Sequence, residues 1–157
     1  MRDWSLGPGD PLFLTLAADS RLCTPDYVND HIWELELGSG EPRALTLQTT
    51  YGMRARAMRL FFRFGENGQS VLDPAEFKEG PRLRRFHPNF LWIDLVPLEN
   101  LPVSAEFWVP DSSTLSGRIT LTNRSTAMRR VRLEVCGALA AIEGHGITGI
   151  QQQLVNI

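Results

Sequence analysis

The residues best suited to contact a ligand are three aromatic side chains, Trp92, Trp108 and Tyr51. Each tryptophan alternates with apolar neighbours in a strand-like segment, so both indoles are expected on the outward face of a sheet, whereas Tyr51 lies at a predicted turn. Flat rings on a sheet can stack on sugar rings, or they can pack against another layer or domain. Both interpretations stay open. A third is that the strand phase is assigned wrongly and the tryptophans do not face outward. The three are our candidate substrate-binding residues.

No motif of a catalytic class occurs in the sequence. It lacks G-x-S-x-G, H-E-x-x-H, a Walker loop and a dinucleotide fingerprint. His31, His87 and His145 are more than fifty residues apart, and none has a His or Cys partner at metal-ligand spacing. The acidic loop over residues 19–30 departs from the EF-hand order, so its Asp and Asn side chains are interpreted as turn residues. We expect no catalytic residue, no metal site and no cofactor.

Composition indicates a single globular domain over residues 1–157. The chain is 43% apolar and 22% charged, and its net charge of −2 argues against nucleic-acid binding, which needs a concentrated positive surface. It contains no apolar run long enough to span a bilayer and no secretory signal, so no membrane contact is expected. Cys23 and Cys136 are too few for a disulfide scaffold, which favours a reducing, cytoplasmic location.

Period-two alternation of apolar and polar residues predicts an all-β fold. In the segment IWELEL, for example, Trp33 and its alternate neighbours are expected to face the core. Strands are predicted over residues 12–17, 32–37, 45–47, 53–64, 82–86, 90–96, 103–109, 115–123 and 129–136. The last two, LSGRITLTN and RRVRLEVC, are expected to pair as a hairpin through a polar turn at residues 124–127, with Ile119 and Leu133 facing inward.

Two local irregularities are expected. The arginines between residues 53 and 64 change phase, from even positions at Arg54 and Arg56 to odd positions at Arg59 and Arg63. This change predicts a β-bulge or bend near residues 57–58, or a change of partner sheet there. Residues 74–79 are expected to form one short helix, because an Asp N-cap is followed by Pro, by Glu three residues after the cap, and by a terminating Gly80.

The passage FWVPDSSTLSGRITLTNRSTAMRRVRLEV resembles the N-terminal β-sandwich domains attached to (α/α)-barrel glycoside hydrolases and phosphorylases, the glucoamylase-like and glycogen-debranching enzymes. In these domains a strand of "tltN-S" character precedes an Arg-rich strand. The segments TTYGMR and DYVNDHIWEL are similar to earlier parts of such domains, and the main match covers residues 103–136. The resemblance implies that the catalytic carboxylates lie in the barrel, so none is carried over, and that this domain braces the barrel and adds a loop to the active-site rim.

We therefore expect a two-sheet antiparallel β-sandwich of the supersandwich type with one short helix. Its expected role is that of a non-catalytic N-terminal domain in a carbohydrate-active enzyme. The expected partners are the catalytic barrel of the same parent chain, an oligosaccharide, and a second copy meeting open sheet edges. The end of the chain on Val155-Asn156-Ile157, with no polar tail, predicts that the domain is cut from a longer protein.

The alternative is an immunoglobulin- or fibronectin-like module whose outer face meets a protein partner and which has no carbohydrate role. A small stand-alone enzyme such as a cupin-like barrel is less well supported, because it would need clustered His and Glu ligands that this sequence lacks.

Overall fold

The computed structural model describes residues 4–5, 14–16, 32–50, 56–111 and 114–141. In this part of the chain two antiparallel sheets pack face to face, and the helical structure is limited to one 3-10 turn, which confirms the all-β sandwich. The strands are β1 (Trp4–Ser5), β2 (Leu14–Leu16), β3 (Trp33–Ser39), β4 (Ala44–Thr50), β5 (Arg56–Glu66), β6 (Gln69–Val71), β7 (Glu79–His87), β8 (Phe90–Leu98), β9 (Leu101–Asp111), β10 (Thr114–Leu121) and β11 (Val131–Ala141).

Each sheet consists mostly of strands that are neighbours along the chain. Sheet A has the order β1-β7-β8-β9-β10, and sheet B has the order β11-β5-β4-β3-β2, with β6 also paired to β5. Strands β2–β5 form a meander in sheet B, and strands β7–β10 form a meander in sheet A. Strand β1 pairs with β7 and strand β11 pairs with β5, so each of them adds to a meander that is distant in sequence. Among the described residues, no helix has the length and hydropathy needed to cross a membrane.

The core lies between the two sheets and follows the predicted alternation. Trp33 and Ile93 are buried, as the sequence predicts for inward positions of β3 and β8. Phe62 of sheet B stacks on Phe107 of sheet A with ring centroids 5.6 Å apart. Gly117 in β10 leaves room for the Phe107 ring, because a Cβ at this glycine would lie 2.8 Å from Cδ1 of the ring. This contact between aromatic rings joins the two layers near the side of the sandwich where the end strands β10 and β11 lie, here called the open side.

The predicted hairpin of the last two strands is wrong in its pairing. Both strands exist, and Ile119 and Leu133 pack against the core as expected, but β10 pairs with β9 in sheet A whereas β11 pairs with β5 in sheet B. Residues 122–130, here called the crossing segment, carry the chain from one sheet to the other. Alternation fixes which face of a strand is buried but does not select its partner, so two strands of the same pattern can belong to opposite layers.

The predicted bulge, bend or change of partner sheet near residues 57–58 is also wrong, because β5 pairs with β4 and β11 of sheet B on both sides of this point. The register of β5 with β11 runs without a shift from Arg56 to Glu66, and its register with β4 is equally regular. The change of arginine phase does not require a bulge, because Arg56 is the first residue of the strand and Arg54 lies outside the described residues. Register shifts occur in other strands instead, including β7, where one lies between Leu83 and Arg85.

The predicted short helix is present as a single 3-10 turn over Pro74–Glu76. Asp73 caps it as expected, since its Oδ1 accepts a hydrogen bond of 2.9 Å from the backbone N–H of Ala75. The turn ends earlier than predicted, because Phe77 is extended and buried with its ring edge-on to Phe64. Burial of Phe77 thus takes the chain directly into β7, and Gly80 belongs to that strand rather than terminating a helix.

Candidate functional site

The outer face of sheet A carries the two tryptophans singled out from the sequence. Trp92 lies opposite Glu106 across β8 and β9, and Trp108 lies opposite Phe90, so the two indoles are diagonal neighbours on the same face. Such neighbours have Cα atoms roughly 7–8 Å apart. Trp108 is 36% exposed and Trp92 is half-buried. The structure brings these two candidates together, whereas Tyr51 lies outside the described residues.

Trp92 is held in place by hydrogen bonds at its polar edge. Its Nε1 donates to Oγ of Ser104 at 2.7 Å and to Oδ1 of Asp94 at 3.1 Å. Both partners lie one row further along the same sheet face, because Asp94 and Ser104 are opposite each other across β8 and β9. The indole orientation is therefore fixed before any ligand arrives, which lowers the entropy that binding would cost.

Asp94 and Glu106, the two carboxylates nearest the tryptophans on this face, are paired with arginines. Nε of Arg84 donates to Oδ2 of Asp94 at 2.7 Å, and Nε of Arg118 donates to Oε2 of Glu106 at 2.6 Å. The register shift in β7 accompanies the first pair, since Arg84 lies within the shifted segment. Asp94 thus orients both Arg84 and Trp92, and Glu106 orients Arg118.

A depression of about 430 Å³ lies beside Trp92. Its floor is formed by β8 and β9, and one wall by Arg82 and Arg84 of β7. The opposite wall is the start of the crossing segment, where the backbone N–H of Arg124 donates to the carbonyl of Asn100 at 2.9 Å. A volume of this size falls within the usual range for small-molecule sites.

Shifted pKa values occur away from this face. Hydrogen bonds from Arg129 lower the pKa of Glu66, and a hydrogen bond from Arg63 lowers the pKa of Glu134. Both carboxylates belong to sheet B and form ion pairs that hold the framework together. Within the described ranges, no cluster of three or more His, Cys, Asp or Glu residues could hold a metal ion.

Sequence reasoning found the tryptophans but missed the groups that surround them. Alternation places Trp92 and Trp108 on a face, yet Arg84 reaches Asp94 through a register shift that has no clear sequence signal. Arg124 reaches the depression because the crossing segment continues beside β9, which only the tertiary pairing reveals. Comparison of the chain with protein families, with curated proteins and with solved structures finds no match.

Proposed function

We propose that this chain is a non-catalytic β-sandwich domain of a carbohydrate-active enzyme of the glycosidase or glycogen-debranching type. In this proposal the outer face of sheet A contacts glycan, and the domain braces the catalytic barrel of the same parent chain. The observation that carries the proposal is the pair of diagonal tryptophans, Trp92 and Trp108, on an open sheet face beside a polar depression. The resemblance of residues 103–136 to such domains points in the same direction.

Both tryptophans would contact the bound sugar. Trp108 offers a partly exposed ring on which the apolar face of a pyranose could stack, as aromatic surfaces do with flat apolar groups. Trp92 offers a second ring whose Nε1 is already satisfied. Sugar hydroxyls would find hydrogen-bonding partners in the adjacent depression, where Ser104 and Arg82 lie. A few polar groups beside an apolar platform are typical of sites that orient small polar ligands.

The bracing role is supported by the open side of the sandwich. Between β10 and β11 the inner faces leave an apolar cavity of about 210 Å³, lined by residues that include Ile119 and Val135. Val135 faces the gap yet remains exposed. Both strands lie at the end of their sheets in the described topology. An apolar surface of this kind favours contact with another protein layer, and in this proposal that layer is the barrel. Pairing of the sheet edges with a second copy of the chain stays a prediction.

We expect the substitution Trp108→Ala to weaken oligosaccharide binding roughly tenfold, because it removes the exposed stacking surface while leaving the buried core intact. Titration of the chain with malto-oligosaccharides, followed by tryptophan fluorescence and calorimetry, measures this change.

The matched control is Phe86→Ala, which removes an aromatic ring of similar exposure, 38%, from the same sheet. Phe86 lies opposite Leu91, an inward position, so its loss should leave binding unchanged. If the unsubstituted chain gives no signal at millimolar oligosaccharide, the glycan-contact part of the proposal is contradicted and only the bracing role is left.

A further inference from the structure

The depression beside Trp92 is lined by more positive than negative side chains among the described residues. Three arginines, Arg82, Arg84 and Arg124, face two carboxylates, Glu79 and Asp94. Arg84 is paired with Asp94 at 2.7 Å, and Arg82 lies 3.5 Å from Glu79. Arg124 is left over, because its guanidinium has no partner among the described residues. The lining therefore carries one surplus positive charge, although the whole chain has a net charge of −2.

Arg124 is fixed in its backbone rather than placed on a loose loop. Its N–H donates to the carbonyl of Asn100, and that of Thr122 donates to the carbonyl of Pro102 at 3.0 Å. The neighbouring Asn123 closes the segment on itself, since its Nδ2 donates to the carbonyl of Ala127 at 2.8 Å and its Oδ1 accepts from the N–H of Ser125. These hydrogen bonds fix the backbone from which the exposed, unpaired side chain of Arg124 extends at the edge of the depression.

Ser104 and Arg124 offer hydrogen-bond donors to a ligand in the depression. Asp94 accepts from Arg84 and Trp92 and keeps part of its acceptor capacity, so it can also receive a proton from a sugar hydroxyl. The hydroxyl of Ser104 accepts from Trp92 and keeps its own proton to donate. A ligand that fits this arrangement supplies acceptor oxygens, and a guanidinium binds planar carboxylates with two parallel hydrogen bonds.

From the surplus positive charge of the described lining and the unpaired Arg124, we propose that the depression selects an acidic saccharide, a sugar that carries a carboxylate on its ring. The sugar ring stacks on Trp92, which lines the depression together with Arg124, and its carboxylate pairs with Arg124. The inference rests on the proposed function, because it assumes that the face contacts glycan. It favours a parent glycosidase that acts on acidic glycans over the glycogen-debranching type, whose glucan is neutral. A polynucleotide would need a broader positive surface than one surplus charge in a depression of about 430 Å³.

The test compares tri-galacturonic acid with its methyl ester, which keeps the sugar rings and removes the charge. In low salt at pH 7 we expect the acid to bind roughly threefold to fivefold more tightly than the ester, as one solvent-exposed ion pair allows. The difference should shrink as salt is added, because salt screens exposed charges. Calorimetric titrations of the full chain give both affinities.

Two arginine variants test whether the preference for the acid over the ester depends on Arg124. Arg124→Gln should make the acid and the ester bind with equal affinity. Arg130→Gln removes the same charge from the same crossing segment, but Arg130 does not line the depression, so the preference for the acid should persist. A preference that survives in Arg124→Gln would overturn the assignment of the carboxylate to Arg124.

The remaining outcomes separate this inference from the proposed function. If the acid and the ester bind equally to the unsubstituted chain, the selectivity is contradicted and glycan contact stands. If inorganic phosphate competes as strongly as the trisaccharide does, the depression is a simple anion site and the saccharide part is overturned. If neither trisaccharide nor the malto-oligosaccharides bind, both the inference and the glycan-contact proposal fail.

Discussion

Replacing Phe107 with Ala is expected to lower the free energy of unfolding by about 3–5 kcal/mol, the usual cost of removing a buried aromatic ring. Phe107 is only 3% exposed and stacks on Phe62 of the opposite sheet. The ring also fills the space above Gly117, so its loss opens a cavity between the layers near the open side of the sandwich. Urea unfolding followed by circular dichroism measures the change.

The expected loss of stability in Phe107→Ala is large because the ring is buried, and not merely because an aromatic ring is removed. Phe86→Ala deletes the same atoms at a position that is 38% exposed, and it should cost about 1 kcal/mol or less. Because domains of this kind are stable by about 5–15 kcal/mol, the Phe107 variant loses a large part of its stability. Equal losses in the two variants would contradict the stacked arrangement of the sheets.

The second large effect is expected at the ion pair between Arg129 and Glu66. Nε and Nη2 of Arg129 donate to the two carboxylate oxygens of Glu66 at 2.8 and 2.6 Å, while Nη1 donates to the carbonyl of Glu99 at 2.7 Å. The side chains are 12% and 18% exposed. One guanidinium thus ties the crossing segment to β5 of sheet B and to the turn between β8 and β9 of sheet A.

Glu66→Gln should lower the midpoint of thermal unfolding by several degrees at pH 7, because the amide leaves Arg129 without its charged partner. Arg129 lowers the pKa of Glu66, so the stabilisation is complete above the usual glutamate value of about 4.3 and is lost as the pH falls through the lowered pKa. The two proteins should therefore differ at pH 7, and the difference should shrink as the pH falls through the lowered pKa of Glu66. Thermal unfolding followed by circular dichroism across this range measures the difference.

Glu41→Gln is the control for this experiment. Glu41 is exposed, and its side chain has no partner in the part of the chain that the structure describes, so the substitution should leave the unfolding midpoint unchanged at every pH. The Glu66 variant will retain some acid sensitivity, since Arg63 also lowers the pKa of Glu134. A constant difference between unsubstituted chain and Glu66→Gln from pH 7 to pH 3 would argue against the pair as the cause.

Alternation predicted the strands well because burial of one face is a local property of the sequence. Leu91 and Ile93 are fully buried while Trp92 between them faces outward, as their period requires. Strand partners were harder to predict, since the pairing of β11 with β5 depends on residues far apart in the chain, such as Arg129 and Glu66. The short β6 was missed, because three residues carry too little pattern.

The same holds for the candidate site. One part could be predicted from residues that are neighbours in sequence, and the other part depends on residues that are distant in the chain. The outward phase of Trp92 and Trp108 could be predicted from their immediate neighbours. The pairing of Arg84 with Asp94 depends on a register shift in β7, and the position of Arg124 depends on the path of the crossing segment. Sequence analysis could therefore suggest an aromatic platform but not the arginines that give the depression its charge.

The measurement that tests the central claim most directly is an ¹H–¹⁵N spectrum of the tryptophan indoles during titration with malto-oligosaccharides. Trp92 and Trp108 report on the outer face of sheet A, whereas Trp33 is buried in sheet B and serves as an internal reference. We predict that the Nε1–H signals of Trp92 and Trp108 shift in a saturable way while that of Trp33 stays in place. Unchanged signals from both Trp92 and Trp108 at saturating oligosaccharide would contradict the assignment of this face to glycan.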